Sequence, residues 1–362
     1  MNVVILTPMH VAELGAGDFQ QAVQTANALN ALGHSAVHCV NSRSAKSQKV
    51  GLEELTLDIL KAADVVHFIP GSPNVTTDPM LIEVEFDGVV ACSSVYWDSW
   101  KHRKVARGTG SSRWKSLLRY TLKLARSHVG GRPSAYSFAD LVLPNSNAEA
   151  DVLRRFYRLP SSASIRVVPN GVPDELFANV EGWRQSFDGV RDIILFPGVF
   201  APRKNQLGFI RALRHQPELP VVFMGGALDN EQGRLYYEQC KAEAPSTWVF
   251  TGRVPYLSKE FRSLMLRARI ACLTSSCETP GLALLEAAVF GARPVITREG
   301  GTSEYYRDVA EYVDSTSATS IRSAVMKAWA RGSLSESERA QFDEFRWSRV
   351  AAKTVDAYRS VK

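Results

Sequence analysis

The chain has 362 residues, more than one hydrophobic core usually supports, so we expect two domains. Hydrophobic residues make up 45% and charged residues 22% of it, which is typical of a globular protein and excludes large-scale disorder. No apolar run approaches the roughly 20 residues needed to span a bilayer, and the N-terminus lacks a cleavable signal segment. These absences predict a cytoplasmic protein.

Short apolar, β-branched runs alternate with helical patterns along the chain, which favours an α/β protein with parallel sheets. Two such series follow each other, so we predict an N-terminal Rossmann-like domain at 1–175 and a second one at 176–345. In such sheets, ligands bind beyond the carboxyl ends of the strands. The predicted strands are 3–6, 36–40, 65–69, 89–92, 141–143 and 165–168 in the first series, and 193–196, 221–224, 248–250, 270–273 and 294–296 in the second.

The net charge of +6 has a local source. Lys and Arg recur through 101–132 without an acidic residue, and apolar residues such as Trp114, Leu118 and Leu122 recur among them near helical spacing. Such a basic amphipathic segment is typical of peripheral contact with an anionic membrane surface, here the inner face. The alternative is that its apolar side packs on the N-terminal domain and its charges face water. No RNP-like aromatic motif accompanies the charge, so nucleic acid is not an expected partner.

The cysteines form an odd set without Cys-x-x-Cys spacing. The pattern implies neither a disulfide framework nor a zinc site, and it predicts reduced residues of the core. They stand at positions 39, 92, 240, 272 and 277.

Two glutamates, Glu278 and Glu286, surround a Pro-Gly turn. If a helix begins at Gly281, Glu286 lies roughly 7–8 Å along its axis and Glu278 lies in the preceding loop. The free amides and positive dipole end of that helix favour phosphate oxygens. The pattern fits a phosphorylated, polyhydroxylated ligand, although an acid near a helix start is also favourable through the dipole alone.

The surrounding residues narrow this interpretation. Glu-x7-Glu follows an apolar strand, and Gly-x-Pro-Val at 291–295 and Gly-Gly-x-x-Glu at 300–304 come after it. Together they closely resemble the donor site of retaining glycosyltransferases of the GT-B fold, family 4. Further segments resemble this family in the same order along the chain: 1–8 with 15–17, 26–34, 139–146, 165–172, 195–204 and 345–354.

The resemblance implies a GT-B fold, in which two doubly wound domains face each other across a cleft and a C-terminal helix, here 346–362, crosses back. It implies transfer of a hexose-type sugar, with retention, from a nucleoside diphosphate, most often UDP or GDP, to a carbohydrate or lipid-linked acceptor. Assembly of surface polysaccharide or glycolipid is a fitting context. No organic cofactor is implied. Because no Asp-x-Asp motif stands at a strand end, we also expect independence from metal ions.

The resemblance also assigns roles to residues. Lys204 and Arg203 would neutralise the diphosphate as the glycosidic bond breaks, and Glu278 would contact hydroxyls of the donor sugar. Glu286 would bind the ribose hydroxyls. The remaining donor contacts would come from backbone at Gly281 and Leu282, from the Gly15 and Gly17 loop, and from the loop of Arg253.

Two positions depart from the family pattern. The Arg that usually follows the loop glycine is Val199 here, and the His expected after the fourth strand is missing from 89–98. Tyr96 and Asp98 are candidates for acceptor contact, while packing is an equally good role for the aromatic residue. His67, at the end of an apolar strand, is expected to be a rim or core histidine.

Three alternatives differ in chemistry. A dehydrogenase is disfavoured, because the chain lacks a full Gly-x-Gly-x-x-Gly and has Asn41 and Ser42 where an acid would follow the second strand. A sugar-nucleotide epimerase of the same fold stays open. So does a degenerate sugar-nucleotide-binding protein, which Val199 and the missing His favour.

Overall fold

The computed structural model describes residues 1–8, 17–41, 53–69, 86–94, 135–156 and 159–361. Contacts divide the chain into two compact units. The first holds the described residues up to Asp174 together with those from Glu344 onward, and the second holds Glu175–Asp343.

The first unit is built on a parallel sheet in which seven strands are described, in the order β3-β2-β1-β4-β5-β6-β7. Its elements are β1 Asn2–Pro8, α1 Gly17–Ala31, β2 Ser35–Asn41, β3 Glu53–Glu54, α2 Leu57–Lys61, β4 Val65–Phe68, β5 Val89–Ser93, a 3-10 helix Ala135–Phe138, β6 Leu141–Leu143, α3 Asn147–Phe156 and β7 Ser164–Ile165.

Helices cover both faces of this sheet. Along β1, Val3 and Ile5 belong to one apolar cluster, and Val4 and Leu6 belong to another, because successive side chains of a strand point to opposite faces. A parallel strand buried on both faces reads as a continuous apolar run. This is why the sequence pattern located these strands.

The second unit is built on a parallel sheet whose described strands follow the order β10-β9-β8-β11-β12-β13. Its elements are α4 Asp174–Gln185, β8 Ile193–Pro197, a 3-10 helix Pro202–Lys204, α5 Gln206–Leu213, β9 Val221–Met224, α6 Glu231–Glu243, β10 Val249–Phe250, α7 Lys259–Arg267, β11 Ala268–Leu273, α8 Leu282–Phe290, β12 Arg293–Thr297, α9 Thr302–Tyr306, a 3-10 helix Arg307–Val309, β13 Glu311–Val313, α10 Ala318–Arg331, α11 Glu336–Ala340 and a 3-10 helix Gln341–Phe345.

The predicted strands are confirmed to within a few residues, with the run at 165–168 shortened to Ser164–Ile165. The patterns do not predict β3 and β13, which are short and carry glutamate. Glu311 in β13 is buried because Arg331 and Lys327 pair with it at 2.7 and 2.8 Å. Among the described strands, both missed ones are the last in their sheets.

The last helix, α12 Trp347–Arg359, packs in the first unit. Val172 donates a backbone hydrogen bond to Phe345 (2.7 Å) and accepts one from Trp347 (3.1 Å). Ser348 donates both its amide and its hydroxyl to the Asp174 carboxylate. A Cβ at Gly171 would approach the Phe345 carbonyl to 2.9 Å, so only glycine fits where α12 joins the sheet.

His67 is a core residue of the first unit, as expected. Its ring nitrogens lie 2.7 Å from the Tyr358 hydroxyl of α12 and 2.8 Å from the Ser93 hydroxyl. Burial lowers the pKa of His67 to about 3, so the imidazole is neutral and bridges a strand and a helix.

The cysteine prediction is confirmed: each of the five is buried and lies outside any disulfide. Among the helices that the structure describes, none has the length and apolar character needed to cross a membrane.

Candidate functional site

The predicted site residues of the second unit gather at the carboxyl ends of its strands. The 3-10 helix with Lys204 follows β8, and Glu278 lies in the loop between β11 and α8. The Lys204 Nζ lies 2.5 Å from Oε1 of Glu278, and the Ser275 hydroxyl donates to the same oxygen at 2.5 Å. The side chains are 13% and 2% exposed. The structure therefore brings Lys204 and Glu278 together as a nearly dry ion pair.

The charges of this pair depend on each other. Burial, with Arg203 beside it, lowers the pKa of Lys204 although Glu278 opposes the change. Burial alone would raise the pKa of Glu278, but Lys204, Arg203 and the hydrogen bonds outweigh it and hold that pKa below its usual value. Glu278 is accordingly a carboxylate at neutral pH. Arg203 is exposed beside the pair.

The backbone of Glu278 is fixed by the loop after β12. The Glu278 amide donates to the Glu299 carbonyl at 3.1 Å, and the Gly301 amide donates to the Glu278 carbonyl at 3.2 Å. Between them, Gly300 has φ 102°, and a Cβ there would overlap the Glu278 carbonyl oxygen. The first glycine of the Gly-Gly motif is thus explained by the close approach of two loops.

Helix α8 begins one residue after the predicted start at Gly281. Gly281, at φ 80°, is its N-cap and Leu282 its first residue. The Tyr306 hydroxyl lies 3.2 Å from the carbonyl oxygens of both Pro280 and Gly281 and supports the turn. The first amides of a helix have no partner within it and lie at its positive dipole end. An anion near Gly281 and Leu282 would meet these amides.

Glu286 lies in the second turn of α8 and is partly exposed. Desolvation raises the pKa of Glu286 to about 7, while a hydrogen bond from Tyr256 opposes this change. The Tyr256 hydroxyl donates to Oε1 of Glu286 at 3.0 Å. The sequence does not predict Tyr256 as a site residue, because it lies in a loop 30 positions before Glu286 and no motif links the two.

Asn205 was also missed. It has φ 60°, and its side-chain amide donates to the carbonyls of Thr274 (3.1 Å) and Ser315 (2.9 Å). These bonds fix the Lys204 loop to the end of β11. Asparagine after a Pro-Arg-Lys turn was an available signal, because it tolerates the left-handed conformation better than most residues.

Arg253 makes its contacts elsewhere. It pairs with Asp229 at 2.6 Å and lies 3.4 Å from the Ala227 carbonyl, with 64% of its side chain exposed. A Cβ at Gly226 would press on its stem at 2.7 Å. Arg253 thus ties the loop after β10 to the loop after β9.

The remaining predicted residues do not belong to the second unit's described loop cluster. Gly15, Tyr96, Asp98 and the basic segment 101–132 lie outside the described residues. Gly17 is described as the first residue of α1, in the first unit.

The family comparison matches residues 181–344 to the sequence profile described as "Glycosyl transferases group 1". Among curated proteins, no sequence matches significantly.

Solved structures of similar fold cover nearly the whole chain. Sucrose-phosphate synthase from Thermosynechococcus elongatus matches with a TM-score of 0.71 and 16% identity over 99% of both chains. HepE of Anabaena in complex with UDP matches at 0.67 and 16%, over 99% of this chain and 100% of the other. The lipopolysaccharide outer core galactosyltransferase WaaB matches at 0.65 and 12% over 99% of both. These likenesses confirm the α/β class and the GT-B fold expected from sequence.

Proposed function

We propose that this chain, which carries a glycosyl transferases group 1 domain over residues 181–344, is a retaining glycosyltransferase. It would move a hexose-type sugar from a nucleoside diphosphate to an acceptor hydroxyl. The main support is the dry contact of Lys204 with Glu278 next to the start of the helix that carries Glu286. Cationic side chains, the first amides of α8 and two carboxylates therefore lie in one cluster of loops.

The diphosphate would be held by Lys204, Arg203 and the first amides of α8. Lys204 supplies a point charge, while Arg203 supplies a fork of donors at the exposed rim. In the free protein, Glu278 keeps the ammonium group of Lys204 fixed at 2.5 Å. The cation therefore has little freedom to lose when a phosphate oxygen arrives.

The carboxylates would bind hydroxyl groups. Glu286 offers two acceptor oxygens for the ribose diol. Oε1 of Glu278 is bound by Lys204 and Ser275. Its Oε2 faces Gly281: a Cβ added to Gly281 would lie 3.5 Å from this oxygen. That second oxygen would accept from a hydroxyl of the donor sugar. The Arg253 loop would contact the base, and the Gly15 and Gly17 loop would supply a further backbone contact to the donor.

The reaction would be a front-face displacement. The bond from the anomeric carbon to the phosphate oxygen breaks, the acceptor oxygen bonds to the same face of that carbon, and the departing phosphate takes the acceptor's proton. Lys204, Arg203 and the helix amides stabilise the growing charge of the diphosphate. Catalysis then comes from positioning and electrostatics, and these fixed cations take the part that a divalent metal plays elsewhere.

UDP is the favoured nucleotide and GDP the second choice. Anabaena HepE has been crystallised with UDP and with UDP-glucose, and it shares this fold. For the acceptor, we favour a carbohydrate or a lipid-linked glycan, as in the lipopolysaccharide galactosyltransferase. Residues 101–132 would then bring a cytoplasmic enzyme to the anionic inner face of a membrane.

The test combines binding with product analysis. Thermal unfolding against UDP-, GDP-, ADP- and TDP-hexoses identifies the donor, since a ligand at 100 times its Kd stabilises by about 2.7 kcal/mol. With that donor and a panel of glycan acceptors, NMR reads the anomeric configuration of the product, which we expect to be retained. Inversion, or failure of every nucleotide sugar to stabilise, would contradict the proposal. Free nucleoside diphosphate released without any acceptor would indicate an epimerase-type reaction.

Variants assign the roles. Lys204→Ala and Glu286→Ala should each lower transfer by orders of magnitude while the protein stays folded. Arg211→Ala is the matched control, because Arg211 pairs with Glu243 at 2.6 Å and is 51% exposed. Full turnover in both site variants would refute these roles.

One observation favours a second candidate, a sugar-nucleotide-binding protein without transfer. Val199 stands where the family usually has Arg, and the Gln206 side chain holds its carbonyl at 3.0 Å. If nucleotide sugars stabilise the protein but no acceptor receives sugar, this candidate is favoured.

A further inference from the structure

Tyr256 makes a contact that the proposed reaction does not use. It lies between β10 and α7, the residue is 52% exposed, and its hydroxyl donates to Oε1 of Glu286 at 3.0 Å. The hydroxyl of an exposed tyrosine can hydrogen-bond to water without any loss of side-chain freedom. A direct hydrogen bond to the Glu286 carboxylate therefore requires contacts that hold the ring in place.

The ring is held by packing. Tyr256 meets Phe261 of α7 edge to face, with centroids 5.2 Å apart, and Phe261 in turn packs on Phe290 at 6.2 Å. Phe290 ends α8, the helix that carries Glu286. Leu257 has φ 57°, an unfavourable conformation for leucine that persists only where its surroundings impose it. The hydroxyl and the carboxylate are thus anchored to the same pair of helices.

The bond leaves room for a ligand. A carboxylate has two oxygens and about four lone-pair sites, and Tyr256 occupies one of them. The other oxygen and the remaining site suffice for the two hydroxyls of a ribose. Tyr256 therefore does not need to leave when a nucleotide binds.

We propose that Tyr256 is a positioning residue of the nucleotide site, whose hydroxyl fixes the Glu286 carboxylate in the orientation and the charged form that a ribose diol requires. This inference rests on the proposed function, because it presumes that Glu286 binds ribose. Tyr256 acts through Glu286 and through a bond that exists in the free protein.

The ionisation of Glu286 makes the role measurable. Desolvation raises the pKa of Glu286 to about 7, and the Tyr256 bond works against this. Without the hydroxyl the pKa rises further, so more of the side chain is protonated at pH 7 and the loss is recovered as pH increases. Two other groups face this pair: the charge of Glu175 acts on Tyr256, and Glu286 acts on Tyr306, whose hydroxyl is engaged with backbone carbonyls.

The experiment compares Tyr256→Phe with wild type by calorimetric titration of UDP, and of GDP in parallel, between pH 6.5 and 9. Phenylalanine keeps the ring contact with Phe261 and removes only the hydroxyl. Tyr312→Phe is the matched control, since its hydroxyl donates only to the Arg307 carbonyl at 2.9 Å. Inorganic pyrophosphate is a second probe, which lacks ribose. Thermal unfolding without ligand verifies that each variant is folded.

We expect the Kd of Tyr256→Phe for the nucleotide to exceed that of wild type about five- to tenfold at pH 7 and about twofold or less at pH 9. Pyrophosphate affinity and the Tyr312→Phe control should match wild type. A ratio of one at every pH, a ratio that does not change with pH, or tighter binding by Tyr256→Phe would overturn the inference while leaving the proposed function in place. If folded wild type binds neither UDP nor GDP, and ADP and TDP also fail, the proposed function fails, and this inference fails with it.

Discussion

The Lys204 and Glu278 pair makes a prediction about stability that is separate from catalysis. In Lys204→Met, the side chain keeps much of its length but loses its charge, and Glu278 stays 2% exposed without its cation. Removing one partner of a buried ion pair typically costs about 3–5 kcal/mol. Because Lys204 is 13% exposed, we expect the lower end of that range. For a unit of this size, about 3 kcal/mol corresponds to a Tm lower by roughly 6–12 °C.

The pH dependence of this loss identifies its cause. In wild type the pKa of Glu278 is lowered, so the pair contributes stability above the unfolded pKa and loses it as pH falls through the folded one. In Lys204→Met, burial dominates and raises that pKa. The lone carboxylate then destabilises most at pH 7–8 and is relieved by protonation as pH falls towards 5. The Tm difference between variant and wild type should therefore shrink on acidification.

Scanning calorimetry from pH 5 to 8 measures this difference. Arg211→Met is the control for loss of an exposed ion pair with Glu243, for which about 1 kcal/mol or less is expected at every pH. The double variant Lys204→Met, Glu278→Gln removes the lone charge, and its Tm at pH 8 should exceed that of Lys204→Met. A deficit that is independent of pH, or no larger than that of the control, would refute this account of the pair.

Three further changes test the backbone around the site and the closing helix. Gly300→Ala should lower Tm and transfer together, because the new Cβ overlaps the Glu278 carbonyl; unchanged activity would show that the two loops move apart freely. Asn205→Asp keeps a residue suited to φ 60° but removes both amide donors, so we expect about 2–3 kcal/mol lower stability by urea unfolding, and a wild-type midpoint would contradict it. Asp174→Ala removes the acceptor of two Ser348 hydrogen bonds and should lower the free energy of unfolding by about 1–2 kcal/mol. Hydrogen-exchange protection of the first turn of α12 equal to that of wild type would contradict this prediction.

The parts of the fold that follow from local pattern could be predicted. Apolar runs locate the buried strands, and the Pro-Gly turn before an apolar stretch predicts the start of α8 one residue early. The edge strand β13 escapes this reasoning, because its Glu311 is buried only through cations from α10. Its charge is neutralised by residues that come later in the chain.

The sequence predicted several residues of the site, but it did not predict the contacts between them. Lys204 and Glu278 were expected to bind different parts of a ligand, and the structure joins them to each other across 74 positions. No local rule couples two loops of such separation, since their approach depends on Gly300 and Asn205. Tyr256 carries no signal of its own, because an aromatic residue in a loop is usually explained by packing.

The first unit combines two segments that are far apart in the sequence. Val350, Val355 and Tyr358 of α12 complete the same apolar cluster as Val3 and Ile5 of β1. Helix α1 also packs in this cluster through Ala22 and Leu29, but during synthesis on the ribosome the part that α12 covers stays exposed until the second unit has been made. A truncated product ending near Asp174 would expose that apolar surface to water and would be prone to aggregation.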